Sequence, residues 1–118
     1  MRSSSGEVAI YNVLLANDID FAEEYIFDDL SAPNGNPLRF DFAVFDENGD
    51  VDFLIEFNGI QHYKPIPKYG GFKGLSHQRY NDAAKRKYCI VHKIPLVVIP
   101  YYDEAKISYD YIFSRAGY

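Results

Sequence analysis

The chain has 118 residues, 47% of them apolar and 25% charged, which suits one compact domain and leaves no room for two ordinary cores. A formal net charge of −5 argues against a bulk polyanion binder, and a single cysteine, Cys89, excludes an internal disulfide and hence a secreted, disulfide-stapled domain. No apolar run reaches about eighteen residues and no signal-peptide pattern follows Met1, so a cytoplasmic, reducing location without membrane contact is expected.

The average charge hides an asymmetry. Between Ile60 and Lys93 eight basic residues (Lys64, Lys68, Lys73, Arg79, Lys85, Arg86, Lys87, Lys93) meet one acid, Asp82, giving +7, while the remainder sets four basic residues against sixteen acids, giving −12. A basic surface beside clustered carboxylates is what metal-dependent chemistry on phosphates uses. Twenty Tyr and Phe with no Trp point first to an aromatic core, ahead of a base-stacking platform.

In chain order, residues 1–5 read as a flexible start. From about Ser4 the spacing of Val8, Tyr11, Leu14 and Leu15 predicts a helix to about Asn17, with Ser4 and Glu7 in the order of a capping box. Ala22 to Phe27 reads as a short strand and Asp28 to Pro37 as a loop. Two alternating runs follow, Leu38–Phe45 and Val51–Asn58, joined by Glu47-Asn48-Gly49-Asp50, a strong hairpin signal. With Asn48 and Gly49 as the loop, Glu47 faces Asp50, and counting back sets Asp41 opposite Glu56. The stretch Gly59–Leu75 reads as a long functional loop. Ser76 caps a helix to about His92 with Tyr80, Ala84, Tyr88 and Val91 on one face; Leu96–Ile99 is a buried strand; and Asp103 caps a last helix carrying Ile107, Tyr111 and Ile112. The expected fold class is α/β, a mixed central sheet flanked by helices, in one domain spanning 1–118.

Two carboxylates facing each other on one sheet face have β-carbons roughly 5 Å apart and repel unless something compensates. A divalent cation held by Asp41 and Glu56, with water and phosphate completing its shell, is the simplest compensation and the usual manner of holding Mg²⁺. The plain structural alternative, two acids on a solvated hairpin face, is weakened because Leu54 and Phe45 share that face. Past Glu56 the chain leaves through Gly59 and presents Gln61 and His62, an amide to orient water or phosphate and an imidazole to act as a base. Asp82 can pair with Arg86 one turn on, and Lys85 reads first as a solvated helix-face lysine, second as a charge for the site. A Cys-His₃ zinc set from Cys89, His92, His62 and His77 is formally open, though a lone helical cysteine is usually a small buried hydrophobe.

Asp41 in one strand and Ile55-Glu56-Phe57-Asn58 in the next resemble the split acidic motif of the PD-(D/E)XK nuclease superfamily, with Asn58 where that pattern usually has Lys. The run from Glu56 to Tyr63, with Asp82 and Lys85 on a following helix, is similar to the branch containing very-short-patch-repair (Vsr) endonucleases and phage intron-encoded homing endonucleases, whose site signature is Glu, Asp, X-His and Asp. The resemblance covers nearly all the ordered chain. It implies catalytic roles for Glu7, Asp41, Gln61, His62 and Asp82, metal binding by Asp41 and Glu56, and phosphate contacts from Lys64, Lys68, Lys73, Lys85 and Arg86. It further implies Mg²⁺, with Mn²⁺ as a substitute, and hydrolysis of double-stranded DNA by the catalytic domain of a homing endonuclease, with no DNA-recognition module in these residues and a homodimer for double-strand cleavage. A Vsr-like mismatch nickase and an inactive nucleic-acid-binding module on the same fold are the competing expectations.

Overall fold

The computed structural model describes residues 4–118. Helix α1 (Ser5–Ala16) opens on Ser4, whose Oγ accepts from the Glu7 amide at 3.2 Å and donates to Glu7 Oε1 at 2.8 Å. Ser4 and Ser5, expected within a flexible start, instead form the cap and first residue of this helix; residues 1–3 lie outside the described residues.

A four-stranded sheet follows in the order β1 (Phe21–Ser31), β2 (Pro37–Phe45), β3 (Val51–Asn58), β4 (Leu96–Pro100). The first two pairings are antiparallel and the third parallel, so the sheet is mixed, as expected, and β3 is central. Strand β1 runs four residues beyond Phe27, into a stretch expected to be loop: after an irregularity its pairing with β2 resumes at Ser31 opposite Pro37, and Leu30 is buried in the core, neither of which local sequence reveals. Helix α2 (Gly71–His92) carries the chain from β3 to β4, preceded by short 3₁₀ turns at Ile60–His62 and Pro67–Tyr69. After β4 come a 3₁₀ segment (Tyr101–Lys106) and helix α3 (Tyr109–Arg115).

Helices cover both faces of the sheet. On one, Ile10 and Leu14 of α1 and Ile112 and Phe113 of α3 meet Phe42, Val44, Phe53, Ile55, Val97 and Ile99. On the other, Cys89 of α2 meets Leu30, Leu38, Phe40, Ala43 and Leu54. The expected aromatic core is present, with Phe40, Phe42 and Phe53 among its largest fully buried side chains.

Four expectations need correction. The hairpin does not close on a two-residue Asn48-Gly49 loop: the Asp46 amide donates to Asp50 O at 2.8 Å, the Gly49 amide to Asp46 O at 3.0 Å, and only Gly49 takes positive φ, at 83°. The resulting shift between Val44 and Phe45 restores the expected count, so Phe42, Ala43 and Val44 face Ile55, Leu54 and Phe53. Second, β2 does not alternate with one phase. Leu38 and Phe40 point to the α2 face, Phe42 and Val44 to the α1 face, and β1 switches likewise at Glu24, whose φ of 50° is left-handed. The flip falls at Asp41. Third, α2 begins at Gly71, not Ser76, because Gly70 and Gly71 turn the chain into the helix at positive φ, a start that helix propensity discounts. Its buried face carries Leu75, Lys85 and Cys89, leaving Tyr80 60% and Val91 65% exposed. Fourth, α3 is capped by Ser108; Asp103 lies in the 3₁₀ segment and accepts from the Tyr111 hydroxyl at 2.7 Å.

Candidate functional site

Continued one step beyond Phe42 and Ile55, the register sets Asp41 opposite Glu56, and here side chains replace the backbone ladder. The Asp41 amide donates to Glu56 Oε2 at 2.9 Å, and the Phe57 amide donates to Asp41 Oδ2 at 2.7 Å. Each carboxylate thus satisfies the other strand's backbone where β2 flips away. A solvated hairpin face is ruled out by burial: Glu56 is 5% exposed, on a strand covered by helices on both faces.

Lys85 enters from α2, its Nζ 2.6 Å from Glu56 Oε1, and is itself 9% exposed. This overturns its first reading, a solvated helix-face lysine, in favour of the second: it brings an ammonium to the carboxylate pair, the charge that Asn58 lacks. Burial of unpaired charge is prohibitive, so the two groups hold each other in place. Asn58 instead hydrogen-bonds Tyr63, whose hydroxyl burial raises above its ordinary pKa against that bond.

His62 and Asp82 meet across the cleft wall, His62 Nδ1 lying 2.9 Å from Asp82 Oδ2, while Gln78 Nε2 donates to Asp82 Oδ1 at 3.1 Å. With both oxygens so engaged, Asp82 faces His62 and Gln78 in place of the expected Arg86. Burial acts to raise Asp82, but the bonds from His62 and Gln78 outweigh it and hold its carboxyl below the ordinary range. An ionised acceptor fixes the imidazole proton on Nδ1 and leaves Nε2 free to accept.

Glu7 approaches from the first turn of α1. Gly6 beneath it packs so closely that an added Cβ would sit 2.2 Å from the Phe57 ring, which brings the helix start to the strand holding Glu56. Burial first, then the charges of Glu56 and Glu7, push Asp41 up to about 8 against the pull of the Phe57 amide and Lys85. Once Asp41 gives up its proton, two neighbouring carboxylates would face a single lysine with hard oxygen donors, an arrangement that suits a divalent cation. Asp41 and Glu56 are the residues able to hold it; among the described residues no group of three or more His, Cys, Asp and Glu side chains is gathered for a metal. Cys89 lies in the core, where burial raises its thiol to about 11, and His92 stacks on Tyr88 at 4.1 Å, away from the His62–Asp82 pair.

Glu56, Asn58, His62, Asp82, Lys85 and Arg79 line one cleft of about 530 Å³, and exposed Arg86 borders it. The sequence alone assigns no site role to Arg79 or Gln78, although a signal is present, since they lie three and four residues from Asp82 on one helix. Gln61 turns back toward Gly59 and does not line the cleft. Lys64, Lys68 and Lys73 are exposed on the segment leading into α2.

No family model and no solved structure matches the chain. The chain is 33% identical over 72 residues to Uncharacterized protein 307L of Invertebrate iridescent virus 6, an alignment covering 60% of the chain and 35% of that protein, so it spans about a third of its relative's length. Among the described residues no helix is long and apolar enough to cross a membrane.

Proposed function

We propose that this domain is a Mg²⁺-dependent endonuclease of the PD-(D/E)XK superfamily, hydrolysing phosphodiester bonds of double-stranded DNA in the manner of homing-endonuclease catalytic domains. The observation that carries the reading is one cleft lined by Glu56, the Lys85 ammonium and the His62–Asp82 dyad, with Asp41 cross-bonded to Glu56 just behind that wall. The basic residues Arg79 and Arg86 at its rim fit a polyanionic substrate despite the negative net charge.

Asp41, with Glu56, would hold the cation. A bound Mg²⁺ supplies Lewis acidity to the scissile phosphate. His62 accepts a proton at Nε2 from the attacking water, and Asp82 stabilises the imidazolium that forms, since Nδ1–H already points at its ionised oxygen. The water oxygen bonds to phosphorus as the bond to the leaving sugar oxygen breaks, and the proton taken up by His62 is released to solvent, from which the departing oxygen is protonated. Lys85 keeps hydrogens beyond the one given to Glu56 and turns them to the developing negative charge. Arg79 and Arg86 hold the backbone through contacts that carry no sequence information.

The test is incubation of supercoiled plasmid with the protein and Mg²⁺ or Mn²⁺, beside Asp41→Ala. Nicked and linear products that fall by about a thousandfold in Asp41→Ala are expected, the loss of a contribution of several kcal/mol. Intact plasmid at every protein concentration with either ion overturns the reading.

A further inference from the structure

A second cavity, about 460 Å³, lies on the far side of α2 from the cleft, lined by Pro33 and Asn34 from the loop between β1 and β2 and by Ser76, His77, Tyr80 and Asn81 of α2. We infer that it is a nucleobase pocket that seats one base of the strand being cut, about three nucleotides from the scissile phosphate. This rests on the nuclease reading and adds a source of sequence preference to a site that otherwise grips only phosphates.

Three observations carry it. The first is position. At about 100° per residue, Arg79, Asp82, Lys85 and Arg86 fall on one flank of α2 and Ser76, His77, Tyr80 and Asn81 on the opposite flank. The cleft and the pocket are therefore separated by one helix width, about 10 Å, which is about three base steps of a strand. Exposed cations stand at both ends of that span, Arg79 and Arg86 at the cleft and Lys73 and Lys87 on the pocket flank, and offer contacts to the backbone phosphates there.

The second is chemistry. The pocket surface is mostly apolar, edged by amide, hydroxyl, phenol and imidazole groups with no carboxylate, ammonium or guanidinium among the lining residues, so it suits a flat uncharged ring with a polar edge better than a phosphate. Asparagine amides present a donor and an acceptor side by side, the pattern that base edges match. The third is preorganisation. The Ala32 amide donates to Asn36 O at 2.8 Å, the Gly35 amide to Ala32 O at 2.9 Å, and the Asn36 amide to Asn34 Oδ1 at 3.0 Å, so the loop is tied to itself and the Asn34 side-chain nitrogen remains as a donor. Tyr80 stands beside it with its ring 60% exposed, an aromatic surface the core does not use and a platform for stacking.

Two measurements decide it. The first titrates single-stranded deoxyhexanucleotides of each base into the metal-free protein and follows backbone amide chemical shifts. Shifts at His77, Tyr80 and Asn81 that differ between the bases, with binding about tenfold weaker in Tyr80→Ala, are expected; shifts confined to the cleft, or equal for all four bases, overturn the pocket. The second sequences the ends produced from a randomised duplex library. A base bias about three nucleotides from the cut, flattened in Asn81→Ala and Asn34→Ala, is expected; unbiased cutting by the unsubstituted protein, or a bias the variants retain, overturns it. If the unsubstituted protein makes no cuts, it is the nuclease reading that falls, and the titration alone decides whether the pocket binds a base. Thermal melting confirms that each variant is folded.

Discussion

The two faces of strand β3 were built for different ends. Phe53, Ile55 and Phe57 point toward α1 and α3 into a face made of Ile, Leu, Val and aromatic side chains. Their neighbours Leu54, Glu56 and Asn58 point toward α2, and along that side the surroundings pass from core through a buried ion pair to an open cleft. Burial on the first face is favourable in itself, about 25 cal/mol for each Å² of apolar surface removed from water. On the second, burying Glu56 and Lys85 costs free energy that their mutual attraction only offsets. A single strand thus anchors the fold with alternate residues and carries a buried ion pair to the edge of a cleft with the others. The difference teaches that the charges on the α2 side contribute little net stability, and under the proposed nuclease function they would serve the chemistry instead.

That contrast can be broken by substitution. Phe53→Ala should cost about 3–5 kcal/mol by urea unfolding, and no second-site change of polarity should restore it, because the loss is a cavity. Lys85→Met should cost about 3 kcal/mol by leaving Glu56 buried and unpaired, yet the double variant Lys85→Met with Glu56→Leu should recover most of that loss; a double variant as unstable as the single would show that the pair itself stabilises the fold. Asp82→Asn should lower plasmid cleavage about a hundredfold, as an orienting and stabilising partner of a general base is lost, while its unfolding midpoint stays close to that of the unsubstituted protein. The last effect is one of sign. Asp41 in the fold holds its proton up to about pH 8, whereas the unfolded chain gives it up near 3.8. Its contribution to the stability of the metal-free protein is therefore fully present below pH 3.8 and lost as pH rises toward about 8. Asp41→Asn should flatten that decline, and Mn²⁺ should reverse it in the unsubstituted protein but not in the variant, both read from melting temperature against pH.

The strands of the hairpin and the capping box at Ser4 were legible because each rests on local chemistry: alternation of side chains, an Asn-Gly turn, an oxygen three residues before an amide. Counting from the turn brought Asp41 and Glu56 together correctly even though the turn has a different geometry, because the shift at Phe45 offsets the extra loop residue. Lys85 was misread for a physical reason. A lysine among Arg86, Lys87 and Asp82 looks solvated on any helix, and only the packing of α2 over Glu56 buries it. Tyr80 was misread in the opposite direction: its aromatic ring suggested the core, but the rotation of α2 is set by Leu75, Lys85 and Cys89, and the ring is left outside.

The sequence by itself determined the mixed α/β order of elements, the facing acids and the concentration of positive charge between Ile60 and Lys93, since periodicity, turn chemistry and composition are properties of short segments. Tertiary structure alone decided that Lys85 meets Glu56 across 29 residues and His62 meets Asp82 across 20, and that α2 has a cleft on one flank and a pocket on the other. Those pairings depend on how a helix is rotated and where a strand flips. Such angles are set by the sum of all packing contacts rather than by any one stretch of chain.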